Sequence, residues 1–138
     1  MLTANVDLPS GSARVVAERG SPEWEAVRAL MPNPPATCLS CGGVVIAAEG
    51  PKVAPHYKHR HKPETCAFNN ETADHLRLKA EVKAIIEATP GWTAALEVPA
   101  EDSGWIVDVM ATSSDTGDRV AFEIQLSPQD ANLSLMHI

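Results

Sequence analysis

Three cysteines and two histidines fall in one short string, Cys38-x2-Cys41-x14-His56-x2-His59-x6-Cys66, inside twenty-nine residues of a 138-residue chain. Thiols and imidazoles this close together constrain the fold more than any other feature, because they are the ligands of a borderline-soft ion. A Cys-x2-Cys knuckle lets two thiolates grip one zinc. The tight Gly42-Gly43 turn frees backbone amides to face the sulfurs, and a later His and Cys complete the tetrahedron. Three cysteines cannot all pair as disulfides, which also favours metal. The expected ligands are Cys38, Cys41 and Cys66 with one of His56 or His59; these two histidines point to opposite faces of a strand, so one of them binds. His61 is the third candidate. Four protein ligands predict a closed, structural zinc that staples a hairpin too small to hold its own core. The bland alternative is three reduced, half-buried cysteines beside exposed histidines.

The length suits one domain or one domain with a small appended module. No stretch approaches the roughly 18 apolar residues that a membrane span needs, and the start of the chain, with Asn5, Asp7 and Pro9, lacks the basic and apolar runs of a secretory signal. A cytoplasmic protein with no membrane partner is the simplest expectation. The formal charge of −7 argues against a nucleic-acid partner, since affinity for DNA comes largely from cations that neutralise phosphates. Its distribution tempers this, because Lys52, Lys58, Arg60 and Lys62 form a basic run with no acid between them.

Along the chain, Arg14-Val15-Val16-Ala17 reads as a short strand. Ser21-Pro22-Glu23 then opens a helix carrying Trp24, Val27, Leu30 and Met31, which Pro32, Pro34 and Pro35 end. A hairpin is expected from Val44-Val45-Ile46-Ala47, through a turn at Glu49-Gly50-Pro51, to a second run from Val53 to His59. Asn69 and Asn70 are the candidate caps of a second helix reaching about Thr89, with His75, Leu78, Val82 and Ile85 on one face. Strand-like runs follow at 94–98, 105–111 and 120–126, separated by turn chemistry at 101–104 and 113–117, so mostly antiparallel pairing is expected. Another helix could start at Gln129.

Two of these strands each hold an acid in an apolar run, Asp108 in Ile106-Val107-Asp108-Val109 and Glu123 in Phe122-Glu123-Ile124-Gln125. Charge in such runs is costly to bury unless it is paired or bound to a cation. Glu123 and Gln125 face the same side of their strand, and antiparallel neighbours can bring Asp108 alongside. Converging carboxylates make an oxygen-rich site for magnesium, which can orient a phosphodiester. Without the ion they repel, so removing either is expected to leave folding intact or slightly improved. Outward-facing positions on a half-solvated sheet explain the two acids equally well by spacing alone. On the preceding helix, Glu71, His75 and Lys79 recur every four residues and share a face, which also fits a solvated stripe.

The whole pattern over 36–128 resembles the competence protein CoiA-like family of predicted nucleases. The resemblance lies in the Cys-x2-Cys knuckle, then His56-Tyr57-Lys58-His59, the Glu71, His75 and Lys79 series, Asp108-Val109, and Glu123-Ile124-Gln125-Leu126-Ser127. That family is similar to PD-(D/E)XK nucleases, with Gln in place of the usual last Lys. The resemblance implies an α+β, restriction-endonuclease-like core in which Asp108 and Glu123, joined by Glu71, hold catalytic magnesium or manganese. Gln125 takes the Lys position and orients water, while Lys79 or His75 supplies positive charge. The implied activity is hydrolysis of DNA phosphodiester bonds, with DNA approaching across Lys52, Lys58, Arg60 and Lys62. Expected boundaries are an N-terminal segment at 1–35, the zinc hairpin at 36–66 and the nuclease-like core at 67–138, truncated after its third core strand. The bare sheet edge this leaves predicts pairing with a second copy. The rival readings are a non-catalytic nucleic-acid-binding module and a zinc-stabilised protein-interaction module.

Overall fold

A computed structural model describes residues 1–30, 35–69, 71–100 and 105–126, and the backbone of Leu133–Met136. The expectations for Met31, Pro32, Pro34, Asn70, the turn at 101–104, Ser127 and a helix start at Gln129 lie outside the described residues. The chain divides into two compact units, Met1–Asn70 and Glu71–Ile138. Both are α+β, with antiparallel sheets of three and two strands in the first and four in the second. No described helix is long and apolar enough to cross a membrane.

The first unit begins with a hairpin, β1 (Thr3–Leu8) and β2 (Gly11–Val16), paired from Thr3↔Val16 to Leu8↔Gly11. Ala4 and Val6 are fully buried while Asn5 and Asp7 are exposed, the alternation of a half-buried strand. Helix α1 (Pro22–Ala29) starts at Ser21, whose side chain accepts the Trp24 N–H, with Pro at its first position. Trp24 and Val27 are buried, but Leu30, expected in the core, is 44% exposed. Strand β3 (Ala36–Thr37) covers the other edge of β1, and β4 (Val45–Ala48) pairs with β5 (His56–His59) as the expected hairpin. This hairpin shares the core of the N-terminal elements. Tyr57 meets Trp24 edge-to-face at 5.1 Å and donates its hydroxyl to the Val15 carbonyl at 3.1 Å. The turn after β4 is tied to α1 as well, through buried Glu49, which pairs with Arg28 and accepts from Trp24 Nε1.

In the second unit, α2 (Ala73–Glu87) packs across a sheet of β6 (Trp92–Pro99), β7 (Ile106–Ser113), β8 (Arg119–Leu126) and β9 (Leu133–Met136), in that order. Thr72 caps α2, accepting the His75 N–H at 3.2 Å. Asn69, expected in that role, closes the preceding turn through Pro63 and Glu64 carbonyls. The helix buries Lys79, Val82 and Ile86, and Ile85 is 67% exposed, so its inner face is rotated from the expected stripe. A lysine belongs to that inner row, which a purely apolar pattern cannot register. The sheet also does not stop at three strands: β9 pairs with β8 from Glu123↔Met136 to Leu126↔Leu133. An antiparallel return needs only a short connection, so the few residues after β8 suffice for a fourth strand on the edge expected to be bare.

Regular alternation fails at one place in this sheet. Met110 lines a groove with Val107, Ala121 and Arg119, whereas Ala111 and Phe122 line a pocket with Ile86 of α2. Asp108 bonds to α2 residues although it is two positions from Met110. Opposite it, between the pairs Leu96↔Val109 and Val98↔Val107, Glu97 adopts a positive φ of 54°. It is the non-glycine residue with positive φ among those described. The break turns two acids toward one point.

Candidate functional site

The first cluster forms where the knuckle meets the end of β5. Cys38, Cys41, His59 and Cys66 bring one ligand atom each within 4.8 Å of one another. The Cys38 and Cys66 sulfurs are 3.6 Å apart, and His59 Nε2 lies 3.4 Å from Cys41 Sγ and 3.6 Å from Cys66 Sγ. A tetrahedral zinc with ordinary bond lengths separates sulfurs by about 3.8 Å and sulfur from nitrogen by about 3.5 Å. A disulfide would need about 2.05 Å. Backbone amides face the sulfurs, Ser40 N–H to Cys38 and Gly43 N–H to Cys41, each at 3.4 Å. Gly42 makes the turn with φ 72°, and a Cβ on Gly43 would stand 3.3 Å from Cys41 Sγ. Spacing, amide cradle and donor chemistry fit a zinc ion.

Burial pushes the Cys38 thiol up to about 12. At Cys66 burial acts the same way but is outweighed by the Phe68 amide and neighbouring side chains, which hold the thiol below its usual value. Burial, with the N-terminal ammonium, lowers the His59 imidazole. A cation bound here would displace the thiol protons and meet an imidazole already favoured in its neutral form. His56 stays outside, bonded to the Ala54 carbonyl at 2.9 Å, and His61 is exposed. Lys52, Lys58, Arg60 and Lys62 are all exposed on this same unit.

The second cluster surrounds Lys79, which is 1% exposed. Its ammonium bonds to Glu71, donates to Glu97 Oε2 at 3.0 Å and lies 3.4 Å from Asp108 Oδ1. Asp108 Oδ2 accepts the Ile124 N–H at 2.8 Å and meets His75 Nε2 at 3.4 Å. Burial lowers a lysine's charge affinity, yet Glu97, Glu71 and Asp108 together hold Lys79 well above the usual lysine range. Burial likewise works against the Asp108 carboxylate, but His75, Lys79 and the Ile124 amide hold it below the usual range. Asp108 is thus anchored by partners, an arrangement that argues against the repulsion behind the expectation that its removal leaves folding intact.

Of the acids and their companions named from sequence, Glu71, His75, Lys79 and Asp108 meet at one point. Glu123 is half-buried on β8 and accepts from Trp105 Nε1 at 2.9 Å, and Gln125, two residues on, is exposed. Ile124, between them, is the residue bonded to Asp108. Glu97 was missed. Its signal was the same one that marks Asp108, a single acid inside an apolar run, Leu96-Glu97-Val98. Among the described residues, the Cys/His set is the group of metal-ligating side chains gathered closely enough to hold an ion. The carboxylates do not form a second one, since they are gathered around Lys79 and, for Glu123, around Trp105. Magnesium or manganese does not fit that arrangement as it stands.

Comparisons with protein-family models, with curated proteins and with solved structures found no match to this chain.

Proposed function

We propose that the chain is a nuclease of the CoiA-like, PD-(D/E)XK type, hydrolysing DNA phosphodiester bonds, with a structural zinc in its first unit. The observation that supports this reading is the meeting of Glu71, His75, Lys79 and Asp108, four residues singled out by their pattern, at one break in the sheet, next to the strand that carries Glu123 and Gln125. His75 is the group placed to pass a proton in the reaction, because its half-buried imidazole is oriented by Asp108. Lys79 is too buried to touch a substrate and acts through the carboxylates it pairs. Gln125, exposed on β8, is free of the charge a lysine would bring and can orient water only by hydrogen bonds. DNA would bind the exposed cations Lys52, Lys58, Arg60 and Lys62.

A non-catalytic zinc-containing binding module is the second reading, favoured by Lys79 standing among the carboxylates where a nuclease's divalent ion would be expected. Plasmid nicking with magnesium or manganese decides between them, run beside DNA binding at rising salt. The nuclease reading expects nicking by the parent and none by Asp108→Ala, with binding retained. Salt-sensitive binding without nicking under either metal leaves the binding module. Loss of binding as well removes DNA as the partner.

A further inference from the structure

We infer that Glu97 is a positioning residue for Lys79, holding its ammonium between Glu71 and Asp108 so that the acids before α2 and on β7 stand together. The inference rests on reading this cluster as the hydrolytic site. Three independent observations carry it. Glu97 is fully buried and its Oε2 accepts from Lys79 Nζ at 3.0 Å. Its backbone sits at φ 54°, a conformation disfavoured for any residue with a Cβ. The register puts it opposite Asp108, between Leu96↔Val109 and Val98↔Val107, and like charges facing each other on neighbouring strands repel.

Each feature is unfavourable alone, and the lysine reconciles them. Apolar residues at 79 and 97 would fill the same space without a buried charge; what the lysine and glutamate add is the placement of charge. Lys79 meets Glu71 at the entry to α2, Glu97 on β6 and Asp108 on β7, and His75, one turn along α2, meets Asp108. On β8 the Glu123 carboxylate is taken up by Trp105. Glu97 is the one of these that is wholly shut from water, so its negative charge is the least screened.

The test follows the lysine signals of the zinc-loaded full chain, carrying isotope-labelled lysine, through a pH titration, with Lys79 assigned by its loss in Lys79→Met. Glu97→Gln keeps the shape and one acceptor but removes the charge. The Lys79 midpoint should fall by about one unit or more, a tenfold loss of proton affinity. The drop in melting temperature caused by Glu97→Gln should also vanish in the Lys79→Met background. An unchanged midpoint, or an equal drop in both backgrounds, overturns the inference. Where Glu97→Gln alone fails to fold, the double variant decides: a folded Lys79→Met/Glu97→Gln chain supports the role, and an unfolded one shows that the fold itself needs Glu97. Plasmid nicking by the parent is read separately. A lowered midpoint without nicking removes the nuclease reading and leaves the role of Glu97 standing.

Discussion

The two units solve the problem of crowded polar side chains in opposite ways. In Met1–Asn70 three thiols and an imidazole point their ligand atoms at one another, at spacings that suit a tetrahedral ion. In Glu71–Ile138 three carboxylates converge on a cation that the chain itself supplies, the Lys79 ammonium. The first arrangement is one that an external ion could complete. The second is complete without one. Metal removal and lysine removal should therefore act on different halves of the molecule.

The largest effect is expected from zinc. Binding at such sites is worth on the order of 10 kcal/mol and is folding energy, so chelation should unfold the knuckle and loosen the hairpin whose Tyr57 lies in the core of the first unit. Elemental analysis after dialysis should give one zinc per chain, and none in Cys38→Ala plus Cys66→Ala. Amide exchange after chelation should rise in β4 and β5 and remain slow in β7. Equal loss of protection in both units would end the comparison.

Next in size is Lys79→Met. It leaves Glu71, Glu97 and Asp108 without their shared cation, and removing one partner of a buried ionic group costs about 3–5 kcal/mol. Chemical denaturation of the second unit should show this, with zinc content unchanged. A stability within about 0.5 kcal/mol of the parent would mean that the carboxylates protonate or find water instead.

Acid should then separate the units by a smaller margin. Asp108 is held below its ordinary value although burial opposes this. Such a depressed carboxyl contributes stability that is present above the unfolded value of about 3.9 and is lost as pH falls through the folded one. Lys79, raised despite burial, contributes stability that is present below about 10.4 and lost only as pH climbs through its folded value. The second unit should thus be steady near neutrality and weaken from about pH 5 downward. Asp108→Asn should be less stable at pH 7 by about 1–3 kcal/mol and should show a flatter acid limb in melting curves. Parallel limbs would assign the acid sensitivity to other groups.

How much of this was legible in the sequence also differs between the units. The knuckle ligands, the Ser21 cap and the β4–β5 hairpin are encoded locally, in spacings of a few residues, and the structure agrees with them. The choice of His59 over His56 followed only from which side of β5 faces the knuckle. The β1–β2 hairpin was half seen, because Ala4 and Val6 alternate with polar residues too briefly to stand out. In the second unit the strands were legible from their apolar runs, and the burial of Lys79 was not. A lysine turns inward only when acids from other elements meet it, and Glu97 sits 18 positions away in a backbone conformation that no local pattern announces. Long-range charge pairing and broken alternation are tertiary properties.

The smallest effect tests the boundary between the two units, where two polar residues three apart have separate work. Thr72 accepts the His75 N–H and starts α2, so its side chain belongs to the second unit. Asn69 donates its side-chain amide to Pro63 and Glu64 carbonyls, closing the turn that carries Cys66. Thr72→Ala should cost about 1 kcal/mol, the usual loss for a helix cap, and should raise exchange in the first turn of α2 without altering zinc affinity. Thr72→Asp should recover that loss, since an acid suits both the cap and the positive end of the helix. Asn69→Ala should do the reverse, weakening zinc retention against a competing chelator while α2 exchange is unchanged. If both variants disturb the same amides, the two residues form one joint and the boundary between the units is less sharp than their separate hydrogen bonds imply.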